Sequence, residues 1–331
     1  MRPSRIRLID LPKREPRFIE PMECQPVTTL PDGVEWTFEI KLDGYRALAV
    51  KSQNKVSLYS RRKKSFNSQY PYLVEALFDL PDGTVVDGEI VCLDDSGRPD
   101  FNLLQHFRSQ ASRIHYFVFD LLICEGRDLT GLPLSQRREL LQEFIKPNSR
   151  IRISEQFEVS AGVMLAAVRA QKLEGVVAKR KDSIYQPGKR TGSWIKYRVN
   201  RGQELVIGGY IPGPHGFDSL IVGYYQGNNL IYVARVRNGF VPALRRKVFD
   251  KIRGLVSPKM PFVNLPDEKE SRWGDSLTAE KMKQCVWLRP KAVAQIEFLE
   301  WTEGDRLRHS KFVGLRDDED PRTVVKEQAG E

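Results

Sequence analysis

The segment WTFEIKLDGYRALAV, residues 36–50, decides how the first half of the chain is read. Phe38, Ile40 and Leu42 alternate with Glu39, Lys41 and Asp43. That is the period of a strand, so the three charged side chains are expected on one face. A lysine on a half-buried strand is costly unless it is paired or put to use. A salt bridge to Glu39 or Asp43 is one reading, since charge pairs across a sheet face are common. A nucleophilic amine is the other. Its lone pair is free only once the ammonium has lost a proton, a state that burial and neighbouring cations favour. Such an amine can form a Schiff base or attack phosphorus, and this segment alone leaves both open.

Outward from it, SQNK (52–55) reads as a turn into VSLYS, which predicts a hairpin. GTVVDGEIVCLD (83–94) predicts a strand with Asp87 and Glu89 on one face. IHYFVFDLLI (114–123) is a nearly continuous apolar run, as in a strand buried on both sides. LSQRRELLQEFI (134–145) has helical spacing with Ser135 as its cap, and SAGVMLAAVRAQKL (160–173) is a second helix. GVVAKR (175–180) and SWIKYRV (193–199) return to strands.

Beyond RVNRGQ (198–203) the texture becomes short strands separated by Gly, Asn and Pro turns. One helix, PALRRKVFDKIRG (242–254), opens at Pro242 and stops at Gly254. About five strands with one helix predict a small Greek-key barrel of the OB type. The fold class expected is α+β, with one domain over residues 1–202 and a barrel over 203–331. Residues 1–30 read as an extended lead-in, and RDDEDPRTVVKEQAGE (316–331) as a mobile charged tail.

A net charge of +10 favours a polyanionic partner. Between Lys179 and Arg201 there are eight basic residues and one acid, with Tyr185, Trp194 and Tyr197 interleaved. A solvated basic face would give the same composition. The four cysteines are far apart and form no CxxC pair, which argues for reduced thiols and against a zinc site. No apolar run reaches the roughly 20 residues a membrane span needs. The N-terminus lacks the apolar core of a secretion signal, so a cytoplasmic protein is expected, in the bacterial cytosol or nucleoid. There is no GxxxxGK[ST] loop, since PGKRTG (187–192) fails after Lys189, and no GxGxxG follows a strand.

The two chemistries left open for Lys41 are separated by the motifs that follow it. Lys41-Leu42-Asp43-Gly44 is succeeded by YSRRKKSFN (59–67), VVDGEI (85–90), YFVFDLL (116–122), LEGVVAKR (173–180) and SWIKYR (193–198). In this order they resemble the motifs of the covalent nucleotidyltransferases, which include ATP-dependent DNA ligases, RNA ligases and mRNA capping enzymes. The segments at 174–198, VIGGYIPG (206–213) and WLRPKAVAQIEFLEWTEGDRLRHSKF (287–312) resemble the ligase domain of bacterial ligase D in particular.

The resemblance implies that Lys41 attacks the α-phosphate of ATP and becomes AMP-linked, with Asp43 positioning its ammonium. It implies adenine recognition by Glu39 and stacking on Phe119. Arg46 and Arg61 would contact the ribose and later the nick, and Arg190 the nucleotide. Lys196 and Arg198 would lie on the α-phosphate, where cations must meet the charge that builds in the transition state. Glu89 and Glu174 would hold Mg²⁺ or Mn²⁺, and Glu89 would also approach the ribose. Lys63, Lys64, Lys179 and Arg180 are candidate DNA contacts. Arg316 and Asp318 match the last motif, R-x-D-K, and would orient pyrophosphate, but Glu319 stands where lysine is usual. Lys63 likewise replaces a glycine common in relatives.

The expected substrate is double-stranded DNA with nicks or ends, bound by a monomer, with a Ku-like end-binding protein as partner. The length leaves no room for the polymerase and phosphoesterase domains that often accompany ligase D, so a stand-alone ligase or the product of a split locus is expected. An RNA ligase or capping-type enzyme, or a non-catalytic DNA-binding relative, are the alternatives.

Overall fold

The computed structural model describes residues 6–105, 111–199, 202–265, 277–302 and 304–327. The chain divides into two compact units, Met1–Val199 and Asn200–Glu327. The segment expected as a hinge includes Asn200 and Arg201, which lie outside the described residues. Both units are α+β, with sheets and few helices. Among the described residues no helix is long and apolar enough to cross a membrane.

The first unit is built on two sheets. One has the order β1 (Gln25–Pro26), β10 (Trp194–Arg198), β9 (Gly175–Arg180), β2 (Trp36–Lys41). The other runs β4 (Lys55–Ser60), β3 (Tyr45–Ser52), β5 (Thr84–Cys92), β6 (Ile114–Cys124), β7 (Arg127–Asp128), with β8 (Ile151–Ile153) also paired to β6. The β3–β4 hairpin turns on Gln53 and Asn54 at φ 51° and 57°. Positive φ at both central residues matches the right-handed twist of the flanking strands.

The segment 36–50 is not one strand. β2 stops at Lys41, and the chain crosses to the other sheet before β3 begins at Tyr45. Gly44 makes the crossing possible, because a Cβ there would lie 2.2 Å from the Ile90 carbonyl oxygen. Asp43 therefore sits in the connection and not on the strand face expected for it.

The helix Leu134–Phe144 has Pro133 as its N-cap, and Ser135 caps nothing. The Leu134 and Ser135 N–H groups donate instead to the carbonyls of Ser183 and Lys181. Another segment satisfies the first turn, so no side-chain cap is needed. The helix Ala161–Ala170 is capped locally: Ser160 Oγ accepts from the Val163 N–H. The lead-in is also packed, with Ile19 and Met22 buried in the core and β1 joined to β10.

The second unit holds a five-stranded sheet of order β13 (Asn229–Val236), β12 (Ser219–Gln226), β11 (Gly202–Ile211), β14 (Val286–Glu297), β17 (Lys311–Leu315). A small hairpin, β15 (Glu300–Trp301) with β16 (Leu307–Arg308), sits between the last two. The helix Pro242–Ile252 follows β13, and Val248 and Ile252 pack it on the core. The ladder is not the closed barrel expected from the sequence. Among the described residues its edges meet only at one parallel bridge, Asn238 with Lys311. Gly239, at φ 91°, permits that approach, since a Cβ would lie 2.1 Å from the Phe312 carbonyl oxygen. The expected charged tail is in fact packed from residue 316 to 327: Asp318 and Val324 are buried, and the Tyr225 N–H donates to the Val324 carbonyl. Residues 328–331 lie outside the described residues.

Candidate active site

Ladder partners put their side chains on one face of a sheet. The registers of β2, β9 and β10 therefore write three rows: Lys41–Gly175–Arg198, Glu39–Val177–Lys196 and Thr37–Lys179–Trp194. Glu39, Lys41, Lys179, Lys196 and Arg198 thus share a surface although up to 159 positions separate them in sequence. Gly175 holds the first row open, because a Cβ there would come within 2.0 Å of the Tyr197 carbonyl oxygen.

Lys41 Nζ lies 2.7 Å from both carboxylate oxygens of Glu174, the residue just before β9. Arg198 Nε approaches the same carboxylate at 3.5 Å. All three side chains are less than one fifth exposed, so water screens these charges weakly. The partner of Lys41 is therefore Glu174, 133 residues away, and not the neighbouring Glu39 or Asp43 that the strand pattern offers.

Glu39 has a partner of its own. Lys179 Nζ donates to its two oxygens at 2.8 and 2.9 Å, and the pair is almost wholly buried. The same ammonium lies 4.3 Å from the ring centroids of both Phe119 and Trp194. Lys179 is thus not available to DNA, contrary to the sequence expectation. Its ladder position opposite Thr37 and Trp194 turns it to the inner face of the sheet.

The second sheet contributes Arg46, opposite Glu89 in the ladder. Arg46 donates twice to the fully buried Asp87, from Nε at 3.0 Å and Nη2 at 2.6 Å. Tyr185 Oη donates to the same carboxylate at 2.7 Å and accepts from the Met22 N–H at 3.0 Å. Burial works against the charge on Arg46, but Asp87 outweighs it and holds the guanidinium well above its ordinary pKa. Burial, then Asp87, pushes the Tyr185 phenol up, so it remains a donor. The guanidinium lies 5.3 Å from the Phe119 centroid and 5.8 Å from that of Trp194, which joins both networks around one aromatic pair.

The remaining expected residues are spread more widely. Glu89, Asp43, Arg61 and Lys196 are half-buried in the first unit. Arg190 is 39% exposed and pairs with Glu23 at 2.6 Å, not with the Lys41 cluster. Lys63 and Lys64 are exposed in the turn after β4, and Arg180 pairs with Asp182. Lys63 takes φ 60°, the left-handed conformation that suits the glycine it replaces. In the second unit, Arg316 donates twice to the buried Asp318 and lies 3.9 and 3.8 Å from Glu204 and Glu319. Burial opposes its charge, and Asp318, Glu204 and Glu319 more than restore it.

Sequence reading missed Asp87, Tyr185 and Trp194 as members of the site. Asp87 was visible as an acid on a strand, and the two aromatics as interleaves in a basic run, but nothing local says what they touch. Among the described residues no three His, Cys, Asp or Glu converge on a point that could hold a metal. Glu89 and Glu174, the acids the sequence assigns to a metal, are both carboxylates in the first unit. That residue type suits Mg²⁺, which takes one or two carboxylates and fills its octahedron from water and phosphate.

Comparison with known proteins follows the same division. Residues 21–198 match the ATP dependent DNA ligase domain, and residues 213–319 the ATP dependent DNA ligase C terminal region. The multifunctional non-homologous end joining DNA repair protein LigD of Mycobacterium tuberculosis is 36% identical over 298 residues, 88% of this chain. The chain spans only 38% of that relative's length. DNA ligase C1 of Mycolicibacterium smegmatis is 30% identical, over 97% of this chain and 95% of the relative. A solved structure of mycobacterial DNA ligase D complexed with ATP and MES aligns at TM-score 0.67 and 34% identity, over 93% of this chain and 98% of that one.

Proposed function

The chain belongs to the ATP-dependent DNA ligase family, and from that premise we propose that it joins 5′-phosphate to 3′-hydroxyl ends in double-stranded DNA through an adenylated Lys41. The observation that carries the reading is the amine of Lys41 held at 2.7 Å by Glu174 on a sheet face shared with Lys196 and Arg198. Glu174, at 2.7 Å, takes in this reading the proton that Nζ must lose before it can attack. Nζ then bonds to the α-phosphorus of ATP as the bond to pyrophosphate breaks. Lys196 and Arg198 meet the charge that builds on the phosphoryl oxygens.

AMP next passes from Lys41 to the 5′-phosphate of DNA, and the amine regains its proton. The 3′-hydroxyl attacks that activated phosphate, loses its proton and releases AMP. Glu89 and Glu174 would hold a divalent cation, Mg²⁺ or Mn²⁺, which would supply further charge stabilisation when bound. Phe119 offers a stacking surface to the base, and Arg46 and Arg61 face the ribose. Lys63, Lys64 and Arg180 contribute positive charge toward DNA.

The second unit is read as an OB fold. In its own strand numbering the sheet order is 3-2-1-4-5, the helix falls between strands three and four, and strands three and five meet in parallel at Asn238 and Lys311. Such folds grip nucleic-acid backbones. Similarity to LigD supports a role in DNA end joining, and a Ku-like partner and a cytosolic place are proposed alongside it.

Incubation with α-labelled ATP and divalent ion should leave label on the protein, and Lys41→Ala should abolish it. Nick sealing on a 5′-phosphorylated duplex should require ATP. A second reading, a DNA-binding relative without turnover, is favoured by Glu319 in place of the usual lysine. Binding to nicked DNA with no label under any condition would establish it and refute the ligase.

A further inference from the structure

The second sheet of the first unit writes a row that runs past the groups already described. Arg46 is opposite Glu89, Glu89 opposite Phe117, and Phe117 opposite Arg152. Ladder partners share a face, so Arg152 stands on the same surface as Arg46 and Glu89, two strands beyond Glu89 on β8. Phe117 is half-buried and Arg152 is exposed. The guanidinium lies 5.6 Å from the Phe117 ring centroid, a contact that occupies none of its N–H donors.

Its ion pairing differs from that of the other cations at the site. Lys41 is held by Glu174, Lys179 by Glu39 and Arg46 by Asp87. Arg152 forms no ion pair among the described residues. Arg150, two residues back, donates to the carbonyls of Ala111 and Ile114 and lies 5.2 Å from the Tyr72 ring centroid, again with no carboxylate. His115, two residues before Phe117 on β6, shares the same face. It is buried, and its Nδ1 has no hydrogen-bond partner within the chain. Burial, then Arg152 and Arg150, lowers its pKa to about 4, so at neutral pH the imidazole is uncharged and does not offset the two guanidiniums. Two arginines without a counter-ion beside an aromatic ring suit a polyanion.

We propose that Arg152, supported by Phe117, binds a backbone phosphate of the DNA duplex a few nucleotides from the ends being joined. This rests on the ligase reading given above, in which Arg46 and Glu89 lie at the nucleotide. Neighbouring strands are about 4.8 Å apart, so two strands put Arg152 about 10 Å from Glu89 along the row. Successive nucleotides rise about 3.4 Å along one strand of a duplex, so that distance corresponds to roughly three nucleotides. A contact to the backbone fixes the register of the duplex and is indifferent to base sequence.

Equilibrium binding of the full chain to a 5′-phosphorylated nicked duplex, measured over a range of salt without divalent ion, reads the contact. Arg152→Ala should weaken binding by roughly fivefold and lower the slope of log K against log salt by about 1. Arg152→Lys, which keeps the charge, should keep the slope. Neutral methylphosphonates, placed one at a time at the second to fourth phosphates on either side of the nick, locate the partner. One of them should weaken wild type by a similar factor and have less than about a twofold further effect on Arg152→Ala, as for two groups that make a single interaction. Unchanged affinity and slope for a folded Arg152→Ala protein would overturn the proposal and leave a solvated surface arginine. So would losses that simply add at every methylphosphonate. A raised KM for ATP in self-labelling, without coupling to any DNA phosphate, would also overturn it by assigning the arginine to the nucleotide. A wild type that shows the phosphate coupling but takes no label from ATP would leave this contact standing and refute the ligase reading instead.

Discussion

Asp87→Asn is the substitution expected to do most damage for the least change of shape. Asp87 is fully buried and accepts three hydrogen bonds, two from Arg46 and one from Tyr185. Asparagine keeps one acceptor but turns an NH₂ group toward donors, so at least one bond becomes a clash of like groups. The Arg46 charge is then left without compensation. Removing one partner of a buried ion pair costs about 3–5 kcal/mol. Arg46 is 14% exposed, so some water can reach the orphaned charge, which places the cost at the lower end, about 3 kcal/mol. That is roughly a 100-fold shift toward the unfolded state. Tyr185→Phe should cost less, about 1.5–3 kcal/mol, by removing one hydrogen bond to a charged acceptor and leaving the Met22 N–H unpaired. Because the two residues share a network, the double variant should deviate from additivity by about 1 kcal/mol or more. Urea unfolding of wild type, both single variants and the double variant measures each number. A loss under about 1 kcal/mol for Asp87→Asn at unchanged m value would show that the pair is solvated in practice, and the claim that it anchors Arg46 would be withdrawn.

Glu174→Gln removes the charge that holds Lys41 and Arg198, so the thermal midpoint should fall, and self-labelling with ATP, measured well below that midpoint, should fall by roughly 100-fold or more. Near-normal labelling would remove Glu174 from the proton path. Lys63→Gly should stabilise the first unit by about 1 kcal/mol, since residue 63 adopts φ 60°, and the melting temperature should rise by about 2–4 °C. A fall would mean that the exposed lysine contributes more than its backbone costs. Val324→Ala should cost about 2 kcal/mol if residues 316–327 are packed as described, and an unchanged midpoint would restore the mobile tail expected from the sequence.

Local pattern was enough for the elements whose reasons are local. The alternation at 36–41, the turn at 52–55, the helix begun at Ser160 and the proline start at Pro242 all concern neighbours within a few residues. The order of the nucleotidyltransferase motifs around Lys41 was legible in the same way. What a side chain meets across the fold was not. Lys179 looks like any cation in a run of eight between 179 and 201, and only the register of β2, β9 and β10 buries it against Glu39. Ser135 looks like a cap, but carbonyls nearly fifty residues away already satisfy that helix end. Arg46, Asp87 and Tyr185 become one network only after strands and loops 41 and 98 residues apart are brought together. Backbone conformation is set largely by near neighbours, whereas burial and charge pairing depend on contacts made across the chain. The sequence therefore determined the strands and singled out Lys41 as the proposed nucleophile, and the tertiary structure alone decided which charges surround it.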